Sequence, residues 1–279
     1  MLNNALFIVA TPIGNLQDIT LRALDTLKNA QVIACEDTRV TKKLFSLLGL
    51  KLDKVFISYQ DHNEQEKAQE IIDIINQGKS VALVSDAGSP LISDPGYKLV
   101  RKCNEQNIKV VTVPGASAVI SALQISGLAT NRFMFAGFIP NKEKARLDLF
   151  LELKDINTTL VFYETANRLN KTLVAMEQVF NSREIAVARE ITKIYEECMR
   201  GNAKSLIEHY TQNPPKGEIV IMVAPPDTNS ALQIDLEKEL LLRLNQMSLK
   251  SAVKEVSELA NINKNQVYDL ALRLKNEKL

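Results

Sequence analysis

Through the first half of the chain, short continuous apolar runs alternate with stretches whose apolar residues recur at helical spacing. Residues 5–10, 31–36, 55–58, 81–85 and 109–113 read as strands. Residues 21–29, 41–48, 63–76 and 97–106 read as helices, the third placing Ala68, Ile71, Ile72 and Ile75 on one face before Gly78. Continuous apolar strands separated by helices predict a mostly parallel sheet covered on both faces. A further helix follows Pro114-Gly115 and ends near Gly127, and the turn-like Leu128-Ala-Thr-Asn131 marks a boundary. Beyond it the style repeats: strands at 133–138, 159–163, 184–188 and 218–223, helices at 145–153, 168–179 and 203–210. Pro225-Pro-Asp-Thr-Asn-Ser230 reads as a linker. Helical patterns at 236–244, 250–259 and 264–274 then suggest a helix-turn-helix-like module, with a packing or dimer element as the equal alternative. The fold class is α/β, with domains at 1–128 and 129–227 and a helical tail at 235–279.

Composition narrows this picture. Hydrophobic residues make up 46% of 279 and charged residues 24%, the balance of a globular protein. There is no Trp, so the cores are mostly aliphatic. The net charge of +1 means that any nucleic-acid surface must be a local basic patch. Cys35, Cys103 and Cys198 form no CxxC pair, and with His62 and His209 far apart no metal site is expected. His62 reads either as a contact to a nucleic acid or, more simply, as part of the cap of a helix starting at Asn63. No basic leader precedes residue 5 and no run approaches the ~20 apolar residues of a membrane helix, which predicts a cytoplasmic protein away from membranes.

In a parallel α/β sheet, ligands bind beyond the carboxyl ends of the strands, and four connections there have unusual composition. Thr11-Pro-Ile-Gly-Asn-Leu-Gln-Asp-Ile-Thr20 holds one glycine, against a GxGxxG dinucleotide site; it also reads as a capped turn with Thr20 starting a helix. Glu36-Asp-Thr-Arg39 puts two carboxylates and a guanidinium past an apolar strand, as a helix cap, an acid–base group or a phosphate anchor. Ser85-Asp-Ala-Gly-Ser-Pro-Leu-Ile-Ser-Asp-Pro-Gly96 is too long for a plain turn. Gly88 permits close approach of backbone to a ligand, the prolines limit the entropy lost on ordering, and Asp86 offers acceptors to hydroxyls or an ammonium. Val113-Pro-Gly-Ala-Ser-Ala118 is a small-residue turn into a helix.

Together these loops resemble the tetrapyrrole methylase superfamily. Within it, residues 10–20, Cys35–Arg39, Asp61-His-Asn-Glu64, Phe162-Tyr-Glu-Thr165, Ala188–Lys193 and Lys216-Gly-Glu218 resemble the ribosomal RNA small subunit methyltransferase I family. The resemblance covers about residues 5–225, departs in small ways at Ser89 and Ile191, where the family more often has Thr and Leu, and extends to the helical tail. It implies an S-adenosylmethionine site in the cleft between two αβ domains, lined by Asp86, Gly88, Ser89, Ile92, Ser117, Ala118 and Tyr163. It also implies a homodimer that methylates the 2′-hydroxyl of a cytidine in the decoding centre of 16S rRNA, in the small ribosomal subunit or as free RNA.

A ribose hydroxyl needs its proton removed or shared before it attacks. Glu36, Asp37, Glu190 and Lys193 are candidates, with Glu36 and Glu190 expected nearest the proton and Arg39, Arg189 and Lys193 near phosphates. Lys142, Lys144 and Arg146 beside Arg132, and Arg168 beside Lys171, make an expected RNA-facing basic surface. Two alternatives share parts of this pattern: a precorrin-type tetrapyrrole methyltransferase, and a non-catalytic ribosome-assembly factor that binds RNA.

Overall fold

The computed structural model describes residues 4–226, 236–260 and 263–276. The chain divides into two compact units, Met1–Lys154 with Thr158–Ala224, and Asp155–Asn157 with Pro225–Leu279. The first unit holds two five-stranded sheets.

The first sheet comprises β1 (Leu6–Val9), β2 (Val32–Cys35), β3 (Val55–Ser58), β4 (Val81–Val84) and β5 (Val110–Val113) in the order β3-β2-β4-β1-β5. All its pairings are parallel. Successive strand residues point to opposite faces, so each apolar run feeds two cores. Leu6, Val32, Ala34 and Leu83 meet Ile71, Ile72 and Ile75 of α3 (Glu64–Asn76) and Leu99 and Cys103 of α4 (Tyr97–Glu105). Phe7, Val9, Ile33 and Val84 meet Ala23 and Leu27 of α1 (Leu21–Asn29) and Phe45 of α2 (Thr38–Leu47). Thr20 caps α1 by accepting from Ala23 N at 3.1 Å. Asp37 caps α2 through Arg39 N at 2.8 Å, so α2 starts three residues before the apolar pattern alone indicates.

The second sheet departs from the parallel style that the sequence suggests. β6 (Phe133–Phe138), β7 (Thr159–Thr165), β8 (Ile185–Arg189), β9 (Glu197–Gly201) and β10 (Glu218–Val223) follow the order β6-β7-β10-β8-β9. Only β6 and β7 pair in parallel; the other ladders are antiparallel. The helices α6 (Glu143–Leu153), α7 (Leu169–Phe180) and α8 (Ala203–Gln212) accompany it. β9 has no counterpart in the apolar pattern, because it is a half-exposed edge strand with charged residues within it. The two sheets are linked by α5 (Ala118–Ser126), which leaves β5 and packs Val119, Ala122 and Leu123 against Val161, Ala186, Ala188 and Met222 of the second sheet.

The second unit carries α9 (Leu236–Leu244), α10 (Leu249–Ala260) and α11 (Lys264–Asn276), close to the three expected helices. They share a core of Leu240, Val253, Val256, Val267, Ala271 and Leu274. Residues 227–235 of the expected linker and tail, the turn at 261–262 and residues 277–279 lie outside the described residues. No described helix is long and apolar enough to cross a membrane.

Candidate active site

The connections at the carboxyl ends of β1, β4 and β5 are stitched to one another. Thr11 N donates to Gly88 O at 2.8 Å, Gly88 N returns a bond to Thr11 O at 3.1 Å, and Thr11 Oγ1 donates to Ser85 O at 3.3 Å. Ser89 Oγ donates to Ala116 O at 3.3 Å. Gly88 has φ +80°, a left-handed conformation that favours glycine, and a Cβ there would stand 3.2 Å from Ile13 Cγ2. Gly115 lies so near β1 that a Cβ would come within 3.0 Å of Ala10 Cβ.

The Ser85–Gly96 loop is held from outside as well. Asp86 Oδ1 accepts Asp37 N at 3.1 Å. At the far end, the buried Glu64 carboxylate accepts Gly96 N at 3.1 Å and Lys98 N at 3.3 Å, and pairs with Lys98 Nζ at 3.2 Å. Leu91 and Ser93 adopt φ of +72° and +66°, left-handed for residues with side chains. Glu64 is thus a supporting residue that composition does not mark; the sequence points to it only through the Asp61-His-Asn-Glu64 motif and its position at the first turn of α3.

Opposite stand the ends of β7, β8 and β10. A register irregularity between Phe135 and Phe138, at Gly137 with φ +72°, brings Phe138 beside Tyr163, their rings edge-on at 5.2 Å. The Glu164 carboxylate accepts Arg168 Nε at 2.6 Å, Thr172 Oγ1 at 2.6 Å and Thr165 N at 2.7 Å. Past β8, Glu190 and Thr192 have φ of +50° and +66°. Glu190 Oε1 accepts Lys193 Nζ at 2.9 Å and Glu218 N at 3.2 Å. Gly217, φ +88°, makes room for that carboxylate, since a Cβ there would overlap Glu190 Oε1.

Between these walls lies a cavity of about 400 Å³, within the roughly 300–1,000 Å³ usual for small-molecule sites. All seven residues expected to hold a cofactor line it: Asp86, Gly88, Ser89, Ile92, Ser117, Ala118 and Tyr163. Ile13, Asp94, Phe138, Glu164, Ile191 and Glu218 join them. Asp94 sits inside the singled-out loop, whereas Phe138 and Glu218 reach the wall only through strand pairing. Ser117 caps α5 without a side-chain bond to the helix amides.

The electrostatics divide the acid–base candidates. Burial, then the charges of Asp86, Asp94, Asp61 and Asp37, raises the Glu36 pKa; Glu36 is not on the cavity wall. Burial also raises Asp86 and Asp94. Among the described residues none of these three carboxylates has an ion-pair partner within 4 Å, and no cluster of side chains is arranged to hold a metal ion. Asp37 is held at about 2 by the Arg39 guanidinium and amide. Lys193 holds Glu190 below the usual carboxylate range, and Glu190 and Glu218 hold Lys193 above the usual ammonium range against the opposing effect of burial. Burial pushes the Tyr163 phenol up to about 12.

The expected basic surface is only partly a surface. Lys142 and Lys144 are exposed and form no ion pair among the described residues. Arg146 is 5% exposed, with Nη1 donating to Asn141 O at 3.4 Å, and so cannot present its charge to a phosphate. It shares the buried face of α6 with Phe150 and Leu153, at the four- and three-residue spacing that would have revealed this. Arg168 is engaged by Glu164 and the Ile139 carbonyl. Arg189 pairs with Glu197 at 2.8 Å. Arg39 is exposed, with its guanidinium on Asp37. Asn63 starts α3 without a side-chain cap bond, its Oδ1 instead taking Gln60 N at 2.8 Å.

Comparison with known proteins places this architecture. Residues 5–207 match the family model of tetrapyrrole (corrin/porphyrin) methylases, and residues 230–275 that of the RsmI C-terminal HTH domain. The ribosomal RNA small subunit methyltransferase I of Haemophilus influenzae is 45% identical over 277 residues, covering 97% of each chain. That of Erythrobacter litoralis is 48% identical over 276 residues, covering 98% of this chain and 96% of its own. Among solved structures, the cobalamin biosynthetic enzyme cobalt precorrin-4 methyltransferase superposes with a TM-score of 0.58 at 16% identity, over 79% of this chain and 95% of that one. A diphthine synthase gives 0.61 at 14% identity, over 78% and 89%. At such identities these structures speak for the fold alone. The identities above 40% over nearly whole chains, with both family models matched in sequence order, make this chain a member of the ribosomal RNA small subunit methyltransferase I family, built on the tetrapyrrole methylase fold.

Proposed function

We propose that this protein transfers the methyl group of S-adenosylmethionine to the 2′-hydroxyl of a cytidine ribose in the decoding centre of 16S rRNA. The observation that carries the reading is the convergence of Asp86, Gly88, Ser89, Ile92, Ser117, Ala118 and Tyr163 on one cavity, from loops far apart in sequence. That cavity suits the methyl donor on its own chemistry. Gly88 leaves open a space that a side chain would fill, Ser117 offers a hydroxyl, and the carboxylate of Asp86, with no ion-pair partner among the described residues, complements a cationic ligand. The donor supplies a methyl group on a positively charged sulfur.

The chain's own contribution is to bind, orient and exclude water. Holding a hydroxyl in line with the methyl contributes up to ~7–11 kcal/mol in favourable cases. The stitched loops after β1, β4 and β5 give one rigid wall, and Phe138, Tyr163 and Ile191 give an apolar one. The Glu190–Lys193–Glu218 cluster fixes the turn that presents Ile191. Because its charges are mutually satisfied, it serves positioning better than proton transfer. Lys142, Lys144 and Arg39 supply exposed positive charge for the RNA backbone. Phe133 and Met134, exposed on the edge strand β6, offer an apolar face for the second copy of a homodimer.

Incubation with labelled S-adenosylmethionine and either small ribosomal subunits or tetrapyrroles tests the reading. Label on a 16S cytidine ribose is expected. Label on the tetrapyrrole alone favours the precorrin-type alternative, and none anywhere favours a binding protein.

A further inference from the structure

We propose that Asp94 is the group that takes the proton from the ribose hydroxyl as the methyl is transferred. The inference rests on the methyltransferase reading above and assigns a residue within it.

Asp94 lines the cavity, and the other carboxylates on that wall are already engaged. Glu164 holds three donors. Glu218 pairs with Lys193 at 2.9 Å. Asp86 takes Asp37 N. Among the described residues Asp94 has no ion-pair partner, and the Ser85 hydroxyl near its carboxylate donates to Ala87 O at 3.2 Å. Glu36 stands off the wall. A base needs an unengaged lone pair facing the substrate space, and among these carboxylates Asp94 offers it.

The backbone fixes where that carboxylate stands. Ser93 before it has φ +66°, Pro95 after it has a restricted φ, and Glu64 grips the following Gly96 N. Local strain maintained by outside contacts is characteristic of functional positions. The charged groups facing Asp94 are Asp86 in its own loop, Asp61 after β3, Glu36 after β2 and, across the cavity, the Tyr163 phenol. Burial and these like charges favour proton uptake. In the step, the hydroxyl O–H bond breaks and the proton passes to an Asp94 Oδ. The oxygen's electron pair forms the bond to the methyl carbon, and the carbon–sulfur pair stays on sulfur. The positive charge of the sulfonium and the negative charge of Asp94 are both lost, so the step balances.

The test measures Asp94→Asn, Asp94→Glu and Glu36→Gln in the full-length protein, with single-turnover methylation of small subunits from pH 5 to 9 and S-adenosylmethionine affinity by calorimetry. Asp94→Asn is expected to slow turnover about 100-fold or more, to keep donor affinity within about twofold, and to lose the acid-side fall in rate that wild type shows as Asp94 protonates. Asp94→Glu should recover part of the rate and keep that fall, and Glu36→Gln should keep both. If Asp94→Asn stays within about threefold of wild type, loses donor affinity by the same factor as rate, or retains the acid-side fall, the assignment is overturned. Should Asp94→Asn not fold, an Asp94→Glu profile with no acid-side fall overturns it equally. Absence of label on 16S ribose with wild type would instead sink the methyltransferase reading itself.

Discussion

Glu164→Leu tests how the second wall of the cavity is held. The carboxylate is 2% exposed and accepts Arg168 Nε, Thr172 Oγ1 and Thr165 N. Leucine fills a similar volume and accepts nothing. Thr172, with 0% exposure, loses the partner of its hydroxyl, and the Arg168 guanidinium loses its counter-charge. Removing one member of a buried pair costs about 3–5 kcal/mol. The Arg168 side chain is 25% exposed and keeps the Ile139 carbonyl, so water and that bond offset part of the loss. The expected cost is therefore about 3 kcal/mol, the lower end of that range. At roughly 2–4 °C per kcal/mol for a domain of this size, the thermal midpoint should fall by about 6–12 °C. Urea denaturation followed by circular dichroism, with calorimetry alongside, measures it. The paired change Glu164→Leu with Arg168→Leu should recover part of the loss, because no unpaired charge is left behind. A single-variant cost below about 1 kcal/mol, or no coupling in the double-variant cycle, would refute the reasoning.

Further expectations follow from neighbouring contacts. Asp86→Ala removes the acceptor of Asp37 N and a cavity carboxylate; losing a charged hydrogen bond of about 1.5–3 kcal/mol should weaken donor binding at least tenfold by calorimetry, and wild-type affinity would displace the proposed site. Lys142→Glu with Lys144→Glu should weaken binding to small subunits and reduce its salt dependence while sparing donor affinity; equal loss of both would reject the basic surface. Gly88→Ala imposes a left-handed alanine against Ile13 and should cost about 1–2 kcal/mol in a melting experiment, with donor affinity reduced alongside. Burial raises the folded-state pKa of Glu36, so its charged form opposes folding. Donor-free protein should gain stability from Glu36 as pH falls from neutral through that raised pKa, and Glu36→Gln should melt higher than wild type at pH 7 and converge with it near pH 4. Parallel melting curves across that range would contradict this.

The first sheet was legible because its strands are buried on both faces, which forces continuous apolar runs such as Val81-Ala-Leu-Val84 that periodicity can see. Of the second wall, Tyr163 alone was expected to line the site, and only from the family resemblance; the rest left no trace in the periodicity, for a physical reason. Tyr163 faces Val220 and Glu164 faces Ile219 across an antiparallel ladder, a pairing between distant residues that leaves no local mark. The basic residues misled for a related reason: charge suggests a surface, yet Arg146 follows the apolar spacing of α6 inward, and Arg168 answers a carboxylate buried at the cavity wall.

The same limit applies to the loop that composition marks most strongly. Its prolines and glycines announce an ordered segment, but its order is not its own. Thr11 and Asp37 hold one end from the connections after β1 and β2, and Glu64 holds the other from α3. A segment fixed from three other elements cannot move one end without straining the rest, as the left-handed Leu91 and Ser93 indicate. The Glu64 pKa is lowered by the Gly96 amide and its further donors against the opposing effect of burial, so its grip is complete above the unfolded carboxylate value and is lost as pH falls through the lower folded one. Glu64→Gln, which weakens that grip at every pH, should therefore speed amide exchange at Gly96 and Lys98 and weaken donor binding without touching the cavity. Unchanged exchange at those two amides would mean that the loop's order resides within its own twelve residues after all.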